Sequence, residues 1–226
     1  MSGFLPRLAN GHERHPVPQA GHLGLGSTGG KGAVISLEDA GIEFFPLDEP
    51  LLAARANAAD LGGADPVAPA TGAALRFIAT AFAARAVVEI GTGCGSSGIW
   101  LLRGMRPGAV LTSVDTEPEC QRLARKVFQQ AGFAANQARL ILGRAQDVLP
   151  RLADGGYDMV FCDTDPADYF EYLPSALRLL RPGGVVLFDD ALLPAQPEIA
   201  EVVRTDDRLV PLLLPVGEGL LAAVKK

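Results

Sequence analysis

Short apolar runs alternate with helix-forming stretches at least five times along this chain, and that rhythm restricts the fold more than any other feature. The runs AVVEIG (86–91), AVLTSVD (109–115), ARLILG (138–143), YDMVFCD (157–163) and GVVLFDD (184–190) are mostly continuous in hydrophobicity. Such runs suit strands whose two faces are both covered. Between them GSSGIWLLRGM, EPECQRLARKVFQQAG, RAQDVLPRLA and DYFEYLPSALRLL read as helices, the last stopped by Arg181-Pro182-Gly183-Gly184. Two further helices come first: one capped by Asp48 with Pro50 in its first turn and closed by Gly62-Gly63, one beginning at Thr71. Right-handed crossovers turn this order into an α/β, doubly wound parallel sheet of Rossmann-like form. After a short helix around EIAEVV, the runs RLVPLLLP and GLLAAVK are separated by a few residues containing Gly217 and Gly219. So tight a link fits an antiparallel hairpin, which completes a seven-strand sheet.

At 226 residues one domain is expected, assigned to residues 36–226. Residues 1–35 are crowded with Gly, Pro and polar side chains and are expected to be a disordered extension. All three histidines, His12, His15 and His22, fall in that tail, so histidine triads and histidine-ligated catalytic metals are excluded from the domain. Asp and Glu outnumber Lys and Arg by 26 to 20, and aromatics make up 6%. That balance argues against a nucleic-acid or anionic-membrane partner, which needs a basic face. No apolar run is long enough for a membrane span and no secretory signal opens the chain, so a cytoplasmic location is expected. Cys94, Cys120 and Cys162 lack C-x-x-C spacing and read as reduced, buried thiols.

The segment Val88-Glu89-Ile90-Gly91-Thr92-Gly93-Cys94-Gly95-Ser96-Ser97-Gly98 selects the ligand class. Glycines after the first strand let the backbone turn tightly against a ligand at the carboxyl edge of the sheet. The spacing is G-x-G-x-G, with Ser96 where a dinucleotide fingerprint wants its third glycine. Glu89 stands two residues before Gly91. A carboxylate there repels a pyrophosphate and attracts the sulfonium and ammonium groups of S-adenosylmethionine. Asp115 ends the second strand, where an acidic side chain can hold both ribose hydroxyls or cap the next helix. Gln146, after the third strand, offers an amide donor and acceptor suited to an adenine edge, or is simply solvated.

The ordered set VVEIGTGCGSSGIWLL, SVDTEPE, GRAQDVLPRLA, FCDTDP and LLRPGGVVLFDDAL resembles the cation-dependent O-methyltransferases of the catechol and caffeoyl-CoA type. The likeness is strongest to small actinobacterial O-methyltransferases and spans roughly residues 50–226. It implies a cofactor pocket lined by Val67, Glu89, Gly91, Thr92, Gly93, Ser97 and Asp115, with Gln146 by the adenine and Asp165 beside the cofactor. It implies that Asp163 contacts the substrate and, with Asp189 and Asp190, holds a metal ion. An all-oxygen set of that kind suits Mg²⁺, which would lower the pKa of a bound hydroxyl. A small hydroxylated substrate and a homodimer are implied as well.

Two departures stand out. Pro166 occupies the position where the family usually has a lysine, three residues after Asp163, and Asp190 replaces an asparagine. The stretch after Leu192 is also short, which leaves either an open mouth or a wall supplied by residues 1–50. Tyr169, Phe170 and Trp100 read as packing. Two other readings stand beside methyl transfer: a cofactor-binding protein without catalysis, motivated by Pro166, and a nicotinamide oxidoreductase sharing the sheet.

Overall fold

A computed structural model describes residues 45–62, 65–193 and 197–226. The glycine-rich tail with its histidines, and Gly63, lie outside the described residues.

Seven strands form one sheet in the order β3-β2-β1-β4-β5-β7-β6. They are β1 (Ala86–Ile90), β2 (Val110–Asp115), β3 (Ala138–Leu142), β4 (Tyr157–Cys162), β5 (Leu180–Phe188), β6 (Leu209–Leu214) and β7 (Leu220–Lys225). The first five are parallel; β7 runs antiparallel to both β5 and β6. The expected C-terminal hairpin is therefore present, and it inserts β7 between β5 and β6. The chain winds outward from β1 to β2 and β3, then returns to place β4 on the other side of β1. That reversal opens a crevice at the carboxyl ends of β1 and β4.

Successive strand residues point to opposite faces and feed two separate cores. Val87, Leu111, Phe161 and Leu187 pack with helices α1 (Glu49–Leu61), α2 (Pro69–Ala81), α3 (Ser96–Gly104) and α4 (Pro118–Gln130). Val88, Val160, Val186 and Phe188 pack with α5 (Ala145–Val148), α6 (Tyr169–Leu179) and α7 (Pro197–Thr205). On β1, β4 and β5 both faces are covered, which is why those strands carry little polarity of their own.

Four local expectations shift. The helix expected from Thr71 begins at Pro69, where proline suits the first turn. The helix read from RAQDVLPRLA is only Ala145–Val148 followed by a 3₁₀ turn at Leu149–Arg151, because Pro150 cannot donate to an α-helical ladder. Arg181-Pro182-Gly183-Gly184 stops α6 but belongs to β5, which starts at Leu180; the β4–β5 register shifts between Tyr157 and Met159 to absorb it. Asp48 stands at the first helix's N-cap without a side-chain cap bond and pairs with Arg103 instead. Among the described residues no helix is long and apolar enough to cross a membrane.

Candidate functional site

The crevice at the switch point is a cavity of about 830 Å³. The loop between β1 and α3 forms its floor. Gly91 has φ +96, a conformation side chains rarely adopt, and a Cβ there would stand 1.9 Å from the carbonyl oxygen of Asp163. Only glycine lets the end of β1 lie this close to the end of β4. The loop amides converge on one carboxylate: Asp115 Oδ2 accepts from the N–H groups of Thr92 (2.8 Å) and Gly93 (2.9 Å). Its Oδ1 accepts from the Glu117 N–H at 2.8 Å. Asp115 thus organises the loop and the start of α4, and still lines the cavity. A carboxylate has about four acceptor sites, so capping and a ligand hydroxyl are compatible.

Glu89 occupies a different place from the one its spacing suggests. It is wholly buried and does not line the cavity. The Ser97 hydroxyl donates to its Oε1 at 2.7 Å and the Ser113 hydroxyl to its Oε2 at 2.5 Å. Thr92 Oγ1 lies 2.7 Å from Ser113 Oγ, extending the network to the loop. Burial pushes the Glu89 carboxyl up to about 7, against the two hydroxyl bonds that pull it down. Its charge therefore reaches the cavity only as a field and through Ser97, which does line it.

The carboxylates that face the cavity directly are more numerous than the sequence singled out. Asp65, Glu117, Glu119 and Asp168 join Asp115, Asp163, Asp165 and Asp190 on its walls, and Arg144 is the one basic side chain among the described lining residues. That lining disfavours a diphosphate and favours a cation. Val67, Gly91, Thr92, Gly93, Ser97 and Gln146 also line it. The Gln146 side-chain amide donates to Glu171 at 3.3 Å, across the gap to α6. Asp165 caps the 3₁₀ turn Pro166–Asp168, accepting from the Ala167 N–H at 3.0 Å.

Tyr169 is the positioning residue that sequence reasoning set aside as packing. It is fully buried, and its hydroxyl lies 3.2–3.3 Å from the carbonyls of Cys162, Thr164 and Asp189. One phenol thereby ties the ends of β4 and β5 together; burial and the neighbouring acids push its pKa up. A tyrosine opening a helix after a strand-end aspartate was the available signal. Trp100 is also buried, whereas Phe170 is partly exposed.

A methyltransferase-domain family matches residues 88–191. A protein of Mycolicibacterium vanbaalenii whose name assigns it to the O-methyltransferases is 48% identical over 192 residues, covering 79% of this chain and 84% of its own. The chain belongs to the O-methyltransferase family. Solved members share its fold. The O-methyltransferase TomG from Streptomyces achromogenes, in complex with S-adenosylmethionine, is 31% identical with a TM-score of 0.72, covering 83% of this chain and 96% of its own. The O-methyltransferase from Bacillus cereus, in complex with S-adenosylhomocysteine, is 25% identical with a TM-score of 0.73, covering 84% and 96%.

In this O-methyltransferase the acidic end of the cavity holds the carboxylates that the family likeness implies for a metal ion. Asp163 lies at the carboxyl end of β4, and burial, Asp189 and Asp190 together raise its pKa well above the usual carboxylate range. Asp189 is pushed up to about 7 by burial and by Asp190. Yet among the described residues no three acidic, cysteine or histidine side chains are placed to hold an ion. The three carboxylates that the family likeness implies for Mg²⁺, Asp163, Asp189 and Asp190, are not gathered into one ligand set among the described residues. Asp189 is only 4% exposed and lies off the cavity wall, its Oδ1 buried without a partner. Asp190 turns back to the wall with φ 55, so only two of the three carboxylates share the space.

Proposed function

We propose that the chain transfers a methyl group from S-adenosylmethionine to a hydroxyl of a small molecule. The observation that carries this is the contact of Gly91 with Asp163, which joins a donor wall at β1–β2 to an acceptor wall at β4–β5 within one cavity. On the donor wall, Asp115 accepts from the ribose hydroxyls while holding the loop amides, and Gln146 meets the adenine edge. Val67 and Ser97 complete that wall, and Asp165 lies beside the bound donor.

On the acceptor wall, Asp163 accepts the hydrogen bond of the substrate hydroxyl and aims an oxygen lone pair at the methyl carbon. The O–C bond forms as the S–C bond breaks, the hydroxyl proton leaves through the carboxylate-lined mouth to water, and neutral S-adenosylhomocysteine remains. Pro166 supplies no base, so carboxylates are the proton acceptors at this end. The homodimer implied by the family and the cytoplasmic location implied by the sequence belong to the same proposal.

The test is methyl-labelled S-adenosylmethionine incubated with a panel of phenols, catechols and hydroxylated acids, with Mg²⁺ and with chelator. A labelled ether product is expected in both conditions, and Asp163→Asn should lower kcat by at least tenfold while S-adenosylhomocysteine still binds. Cofactor binding without product across the whole panel would favour the non-catalytic reading that Pro166 motivates.

A further inference from the structure

Glu89 is a carboxylate that the transfer step does not touch, set beneath the cofactor loop with no cation bonded to it among the described residues. Its partners fix a chain of hydrogen bonds with a direction. A hydroxyl has one hydrogen to donate. When Glu89 is ionised, Ser97 and Ser113 both donate to it, so the Thr92 hydroxyl must donate to Ser113. Ser97 then presents only lone pairs to the cavity it lines. When Glu89 carries a proton, that proton must be accepted by Ser97 or Ser113, and the accepting hydroxyl turns its own hydrogen elsewhere. In the Ser97 case the hydrogen points toward the cavity. The wall therefore has two electrostatic faces: anionic and accepting, or neutral and donating.

The two cofactor forms differ in the same respect. The methyl donor carries a sulfonium charge, and the demethylated product does not. We propose that Glu89 is a positioning residue whose proton is exchanged against the sulfonium charge, released when the donor fills the cavity and regained when transfer leaves a neutral thioether, with Ser97 as its contact to the ligand. The inference rests on the methyl-donor reading of the cavity. Protons balance over a turnover: Glu89 gives one to solvent on donor binding and takes one from solvent after transfer, and the acceptor hydroxyl loses its own to water.

The surroundings of Glu89 support an exchange near neutrality. From β2 it faces Ser113 and feels the charge of Asp115. From α3 it faces Ser97, and a Cβ added at Gly98 would stand 3.4 Å from its Oε2. On β4 its register neighbour is Phe161, and its charge raises the pKa of Asp163 at the strand's end. These neighbours are neutral or acidic, and burial holds the carboxyl at about 7, so a nearby cation is what tips it. The sign follows from linkage: donor affinity rises as pH climbs through this range, while product affinity changes little. The donor-to-product affinity ratio should rise about fivefold from pH 6 to pH 8.

Titration calorimetry on the full chain at pH 7, in phosphate and in Tris, counts protons exchanged on binding. The donor's α-amino group is shared by the product, so its own titration cancels in the difference between the two ligands. The expected result is a larger proton release with S-adenosylmethionine than with S-adenosylhomocysteine. That difference should vanish in Glu89→Gln and shrink in Ser97→Ala, which leaves Glu89 in place. Equal release for the two ligands in the wild type, or a difference that survives in Glu89→Gln, overturns the inference while leaving cofactor binding intact. Absence of heat with both ligands overturns the methyl-donor reading itself and this inference with it.

Discussion

The two ends of the cavity are built differently. At the donor end, Glu89, Ser97, Ser113 and Thr92 bond one another, and Asp115 gathers three backbone N–H groups. At the acceptor end, Thr164 Oγ1 and Asp189 Oδ1 are buried without partners, and Asp163, Asp189 and Asp190 raise one another's pKa or are raised by burial. The donor half is preorganised by the chain alone. The acceptor half stores unpaired polarity beside the cavity.

Substitutions at the two ends should therefore behave differently. The largest effect is expected at their junction. Gly91→Ala forces a Cβ into the Asp163 carbonyl at a positive φ, and should cost about 3 kcal/mol or more in urea unfolding and abolish S-adenosylhomocysteine binding. Near-normal stability with intact binding would show that the two walls are not locked there.

Next comes Asp189, at the unsatisfied end. Its carboxyl is raised to about 7 in the folded chain, against roughly 3.9 when unfolded. Any stability tied to its protonated form is complete below about pH 4, is lost as pH rises to about 7, and stays lost above. The stability of Asp189→Asn relative to wild type should therefore grow by roughly 2 kcal/mol between pH 5 and pH 8, as read from unfolding curves. A pH-independent difference would mean that the acceptor end is not charge-strained.

At the preorganised end, Asp115→Ala removes both the loop anchor and the proposed ribose acceptor. Calorimetry should show S-adenosylhomocysteine binding at least tenfold weaker, about 1.4 kcal/mol. Gln146→Ala should produce the smallest change, about threefold, since its side chain is half-buried and held by a 3.3 Å bond to Glu171.

The same contrast governs what could be read from the residues alone. The sheet was legible because strands covered on both faces lose their polar alternation, and a hairpin link cannot serve as a crossover. The glycine loop and Asp115 were legible because backbone geometry at a switch point admits few residue types. Glu89 was placed on the cavity because spacing along a strand says where a residue lies and not which way it faces. It shares a face with Val87, against α3 and α4, and a lone carboxylate in an otherwise apolar central strand is more readily buried than its charge suggests. Asp65 and Asp168 went unnoticed since neither is near the glycine loop in sequence; only the fold brings them to its walls. The three carboxylates implied for a metal ion do not share one wall, for a finer reason. Adjacent aspartates at a strand end point to opposite sides unless the backbone turns, and here it turns at Asp190, leaving Asp189 behind.

The most direct measurement is a pair of calorimetric titrations on the intact chain, one with S-adenosylhomocysteine and one with NADH. An acid-lined cavity above the Gly91–Gly95 loop should bind the first at one site per chain and give no heat with the second. Binding of NADH without binding of S-adenosylhomocysteine would contradict the assignment of the donor.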